Sequence, residues 1–197
     1  RQVENAWKNL RPMTKEMLVR VLARSTKPAV KQNFSYDAHS DWELSSLLDA
    51  LDEKVAVLKV KRSSPKLVEV SHLAEVCASV LEAKTESAEI FIQLAKRALA
   101  KHDYVKIDKL SDILFERFSA SEVAEVIRQS TVPQIRAIGY ETLAVMPTSS
   151  IKPLVKDPLY FEIACNTLEQ QAVEFENEEA GLVLESMAAD FTFNQNF

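Results

Sequence analysis

The chain has two glycines, Gly139 and Gly181, in 197 residues, against a usual share of roughly 7 %. Few positions can then take positive φ without steric cost. That argues against tight hairpins, phosphate-cradling loops and dinucleotide-binding turns. Histidine is nearly as scarce. His39, His72 and His102 are scattered, with no His-x-x-x-His pair and no cysteine at ligand spacing, so no metal site is expected. The two cysteines, Cys77 and Cys165, each lie in an apolar helical stretch and read as buried free thiols. Free thiols fit a reducing, cytoplasmic setting. No apolar run approaches the roughly 18 residues of a bilayer span, so no membrane segment is expected. The opening residues, Arg1 to Trp7, carry no apolar stretch behind their charge and do not read as a signal peptide.

Cations are also missing from one end. Residues 157–197 hold nine acids and no Lys or Arg, whereas residues 1–32 hold eight Lys or Arg and two Glu. The net charge of −5 thus hides a gradient from a +6 head to a −9 tail. Such a gradient can orient a partner or hold head and tail together. It equally fits solvated helix faces of different sign.

What is present is helical vocabulary. Hydrophobic residues make up 47 % and charged residues 27 %, enough to bury a core and remain soluble. Apolar residues recur at intervals of three and four: Leu44, Leu47, Leu48, Leu51, Val55 and Leu58; then Leu67, Val70, Leu73, Val76, Cys77, Val80 and Leu81. Sustained period-2 alternation is missing outside the last residues. The pattern predicts a single all-α domain over 1–197 with about nine helices, a lead-in over 1–12 and a tail over 191–197.

Local signals mark the helix starts. Thr14 is expected to cap a helix running to Arg24. Ser40-Asp-Trp-Glu43 and Ser119-Ala-Ser-Glu122 read as capping boxes, in which serine and glutamate satisfy each other's backbone N–H groups. Pro65, Pro133 and Pro158 suit first helical positions. His102-Asp103 reads as a break. Between the second and third elements lies the least periodic stretch, 25–40, with Phe34 and Tyr36 and the nearby Trp42. Loops of this kind carry function more often than their length suggests. The aromatics either plug the loop onto the core or face a partner.

Several helices open alike, with a hydroxyl or Asp, then Pro, then an aliphatic helix. Pro28 and Pro65 lie 37 residues apart, and Pro65 and Pro133 lie 68 apart, about two such units. The spacing fails at Pro158. The segment Pro133-Gln-Ile-Arg136-Ala-Ile-Gly139-Tyr-Glu-Thr-Leu143 resembles the second helix of a HEAT-type repeat. In that family Pro starts the helix, an aliphatic residue precedes Arg, a small residue lets helices cross closely, and Leu fills the seam. Pro158 to Leu168 echoes it with Ala164 at the small position and Phe161 where Arg would stand. Val30-Lys31 after Pro28 is a fainter echo. The resemblance implies stacked antiparallel helix pairs, an α-solenoid of HEAT or armadillo type. An irregular helical bundle is the alternative.

Such a fold implies macromolecular binding. The leading expectation is a non-enzymatic protein–protein interaction scaffold without cofactor. The alternative is a regulatory helical domain acting near nucleic acid or as a signalling adaptor. No catalytic residue is expected. The carboxylate groups, such as Asp49, Asp52 and Glu53, lie in polar runs, whereas a catalytic pair needs burial to separate its pKa values. Nucleic acid is disfavoured by the acidic pI of about 5.4. Candidate partner-binding residues are the loop aromatics Phe34, Tyr36 and Trp42. The repeat analogy adds Lys106, Arg128, Arg136 and Tyr140.

Overall fold

A computed structural model describes residues 1–24, 35–60 and 64–194. Among the described residues there are eleven α-helices and one 3-10 segment, and no strand. The expected count of nine is thus too low. The lead-in is itself a helix, α1 (Gln2–Asn9), and a further short helix, α9 (Thr148–Ile151), precedes the 3-10 segment Lys152–Lys156. The chain divides into two compact units, Arg1–Thr85 and Glu86–Phe197.

The first unit holds α1, α2 (Pro12–Arg24), α3 (Ala38–Val60) and α4 (Ser64–Lys84). Its centre is the pairing of α3 with α4, against which α1 and α2 pack. The apolar stripes explain this: Leu44, Leu47, Leu48 and Leu51 of α3 are buried, as are Ala74, Cys77 and Leu81 of α4. Each fully buried leucine contributes about 1.5–3 kcal/mol. The connector residues Val30, Lys31 and 61–63 lie outside the described residues.

The second unit is built of helix pairs: α5 (Ala88–Ala100) with α6 (Tyr104–Arg117), α7 (Ala120–Gln129) with α8 (Pro133–Val145), and α10 (Phe161–Glu174) with α11 (Glu178–Asn194). The first two pairs stack like on like, α5 against α7 and α6 against α8. The third departs, because α10 packs about equally on the 3-10 segment and on α8, with α9 beside it. The core runs through Phe91, Leu110, Leu114, Ile127, Ile135, Leu143 and Leu168. Phe91 meets Phe118 edge to face at 5.7 Å.

Turns are made almost without glycine. Both glycines lie inside helices, and no described glycine has positive φ. After α5, His102 takes φ 55°, and its neighbour Asp103 donates its N–H to the Ala98 carbonyl. This is the helix-ending geometry that glycine usually supplies. Asp103 then caps α6 by accepting the Lys106 N–H at 3.0 Å. Elsewhere α6, α7 and α8 end directly in extended backbone at Phe118, Ser130 and Met146. Pro158 stands outside α10, which begins three residues later. Asp157 instead closes a local turn by accepting the Leu159 N–H at 2.9 Å.

Candidate functional site

Both predicted capping boxes turn out to be tertiary devices. In the first, α3 starts at Ala38, two residues before Ser40. Asp37 is the cap, accepting the Ser40 N–H at 2.8 Å and the Ser40 hydroxyl at 3.0 Å. Glu43 is thereby released to reach the start of α2. Its Oε1 accepts the Arg11 backbone N–H at 2.6 Å, and its Oε2 accepts from Arg11 Nε at 3.2 Å and from the Thr14 hydroxyl at 2.5 Å. Thr14 therefore binds Glu43 across the unit, and its helix begins before it, at Pro12. Arg11 completes the cluster with a two-pronged bond to Asp37 at 3.0 and 2.7 Å.

Electrostatics follow from this geometry. Glu43 is only 2 % exposed. Burial alone would raise its pKa, but hydrogen bonds from Thr14 and Arg11 outweigh it and hold the carboxyl below its ordinary value. The Arg11 hydrogen bonds pull Asp37 far below the carboxylate range. The Arg11 guanidinium is raised in turn by Asp37 and Glu43. Next to them Tyr36 donates its hydroxyl to Asp41, whose other oxygen accepts from Thr85 at 3.0 Å. Burial, and then the Asp41 acceptor, push the Tyr36 phenol well above its usual value.

The loop aromatics thus separate. Tyr36 is half-buried and tied to the core. Trp42 is 61 % exposed, with the His39 ring tilted against it at 5.7 Å. Phe34 lies outside the described residues.

In the second unit the Pro133–Leu143 segment does what its residue types require. Pro133 opens α8, while Ile135 and Leu143 are fully buried. Arg136 reaches back to the Ile127 carbonyl at 2.9 Å, at the end of α7. Gly139 lies so close to α7 that a Cβ there would stand 2.5 Å from Ile127 Cγ1. Arg128 pairs with Glu125 at 2.5 and 2.7 Å, and Tyr160 donates to the same carboxylate at 2.8 Å. Arg128 foremost holds the Glu125 pKa down, at about 2. Arg128 and Arg136 are therefore brought to the same end of α7, each already engaged. Tyr140 is half-buried on α8, and Lys106 is half-buried in the first turn of α6. Ser119 caps α7 as expected, accepting the Glu122 N–H at 3.3 Å. The Glu122 carboxylate, however, accepts the Ala88 N–H at the start of α5, at 3.0 Å.

Two open grooves lie in this unit. One, of about 480 Å³, is bounded by the α6–α7 corner and by the segment from Met146 to Leu154. Phe115, Phe118, Met146, Pro147, Pro153 and Leu154 make its apolar walls, and Phe115 is 52 % exposed. The other, of about 410 Å³, separates the 3-10 segment from α11. Phe115 and Leu182, which edge these grooves, escaped the sequence reading. Each sits one position off its helix's buried stripe, and that offset was the available signal.

The buried polar groups are engaged in structural hydrogen bonds. Gln171, 2 % exposed, donates to the Ala144 and Met146 carbonyls and accepts from the Thr148 hydroxyl. Among the described residues every buried side-chain nitrogen and oxygen has a partner, and no three His, Cys, Asp or Glu are grouped to hold a metal. Neither Cys77 nor Cys165 forms a disulfide; Cys77 is buried as expected, whereas Cys165 is half-buried, and burial and Glu169 raise its pKa. No described helix is long and apolar enough to cross a membrane. Comparison with family models, curated proteins and solved structures finds no match.

Proposed function

We propose that this chain is a non-enzymatic protein-binding module built of helical repeats of HEAT type. The observation that carries this reading is the apolar groove beside Phe115. It is open, walled by aromatic, Met and Pro side chains, and large enough to take the side chains of a partner segment. Like-on-like stacking of the α5–α6 and α7–α8 pairs supports the repeat part, as does the close crossing at Gly139. Buried polar groups engaged in capping and turn closure favour a scaffold over a catalyst.

Site-directed photocrosslinking tests it. Phe115→p-benzoylphenylalanine should yield a discrete protein adduct in cells. The same replacement at exposed Val173 should not. Equal labelling at both positions would overturn the proposal, and a nucleic-acid adduct at 115 would favour a regulatory role near nucleic acid.

A further inference from the structure

The second groove carries charge as well as apolar surface. One wall is the 3-10 segment, with Lys152 and Lys156 exposed. The other is α11, with Glu179, and its floor includes Val183 and Met187. Leu182 lies on the α11 side and is 65 % exposed. Among the described residues neither lysine has a carboxylate partner, and Glu179 has no cation. The walls are opposite in sign, yet no ion pair joins them.

The occupant such a groove fits is an acidic amphipathic helix with an apolar anchor. It would place carboxylates on Lys152 and Lys156 and a side chain of leucine size on the floor. α11 itself offers both acid and anchor: Glu178, Glu179 and Glu185 are exposed beside Leu182, in a stretch with no Lys or Arg. A second copy therefore supplies what the first lacks, and the exchange is reciprocal, as a two-fold contact requires.

Gly181 points the same way. A glycine within a helix costs up to about 1 kcal/mol relative to Ala, and Gly181 stands fourth in α11. Gly139 has a reason within the chain, since Ile127 crowds it. At Gly181 a Cβ would meet nothing within 4 Å. Close approach by another molecule's helix is a reason from outside the chain.

We infer that two copies of this chain associate through the groove between the 3-10 segment and α11, Leu182 of each seated in the groove of the other and the lysines of each paired with the α11 glutamates of the other.

Sedimentation equilibrium over a range of concentrations tests this. The wild type should approach twice its monomer mass. Leu182→Asp should weaken association by at least about tenfold, roughly 1.4 kcal/mol. Lys152→Glu/Lys156→Glu and Glu178→Lys/Glu179→Lys should each be monomeric alone, because like charges then meet. Mixed together, the two charge variants should form a heterodimer, because every pair is again opposite in sign. All the altered side chains are exposed, and melting curves would confirm folding. A wild type that stays monomeric at high concentration overturns the inference. So does a dimer indifferent to these variants, or a pair of charge variants that fails to combine.

Discussion

Each unit contains a Ser-x-x-Glu motif whose glutamate caps an earlier helix, and the two differ in burial. Glu43 reaches back 32 residues to Arg11, and Glu122 reaches back 34 residues to Ala88. In the first unit the carboxylate is almost fully buried and serves a backbone N–H, a guanidinium and a hydroxyl. In the second it is half-buried, with one cross-helix bond to a backbone N–H. The same four-residue signature thus builds a charged lock in one place and a simple cap in the other. The neighbours decide: only the first glutamate has an arginine at the helix start it reaches.

The largest effect expected from breaking this comparison is at Glu43. Glu43→Ala leaves the Arg11 N–H and the buried Thr14 hydroxyl without their acceptor beside a void, while the guanidinium keeps Asp37; each stranded buried polar group costs about 1–3 kcal/mol. Glu122→Ala should cost about 1 kcal/mol, as ordinary caps do. Denaturant melts that gave equal losses would show that burial does not separate the two sites.

Next is Gly139, the close crossing of the second unit. Leucine there should cost about 1–3 kcal/mol or more through overpacking. Alanine is compatible with the repeat family, but its Cβ must displace the middle of the Ile127 side chain. The expected sign is therefore a loss, despite the gain in helix propensity. A Gly139→Leu protein as stable as the parent would remove the close crossing from the account.

Acid should act on both units. Asp37 and Glu43 in the first and Glu125 in the second have depressed pKa values when folded. Their contribution is present above the ordinary carboxylate pKa and is lost as pH falls through the folded value. The melting temperature should hold at neutral pH and decline between about pH 4.5 and 2. Unfolding followed by unit-specific probes would show whether the Arg11 cluster makes the first unit the more acid-sensitive. A melting temperature flat to pH 2 would contradict the hydrogen-bonding scheme.

The smallest effects divide the two aromatics. Tyr36→Phe removes the bond to Asp41 and should cost about 1 kcal/mol. Trp42→Ser, at an exposed position, should change stability by no more than about 0.5 kcal/mol. A large loss at Trp42 would place it in the core after all.

The helical class was legible because periodicity and glycine scarcity agree. The Pro133–Leu143 segment was legible residue by residue, since each type has one physical job in a helix crossing. The helix that Glu43 or Glu122 caps could not be read, because a capping glutamate looks the same locally whichever N–H it satisfies. α1 was missed because none of its own residues is fully buried. Of the candidate binding residues, Arg128 and Arg136 are engaged at the end of α7. One groove arises between the α6–α7 corner and the Met146–Leu154 segment and the other between the 3-10 segment and α11, and no single-helix pattern contains that information.

Glycine scarcity also shapes the state the chain leaves when it folds. A chain that turns corners through extended residues and side-chain caps wanders less when unfolded, so ordering it forfeits less backbone entropy. Among the described residues His102 and Glu176 are the exceptions, holding φ of 55° and 52°. Glycine at either site would relieve a strain of order 1 kcal/mol while returning freedom to the unfolded chain. The two contributions oppose, so the substitution that local geometry invites should leave stability nearly where it stands.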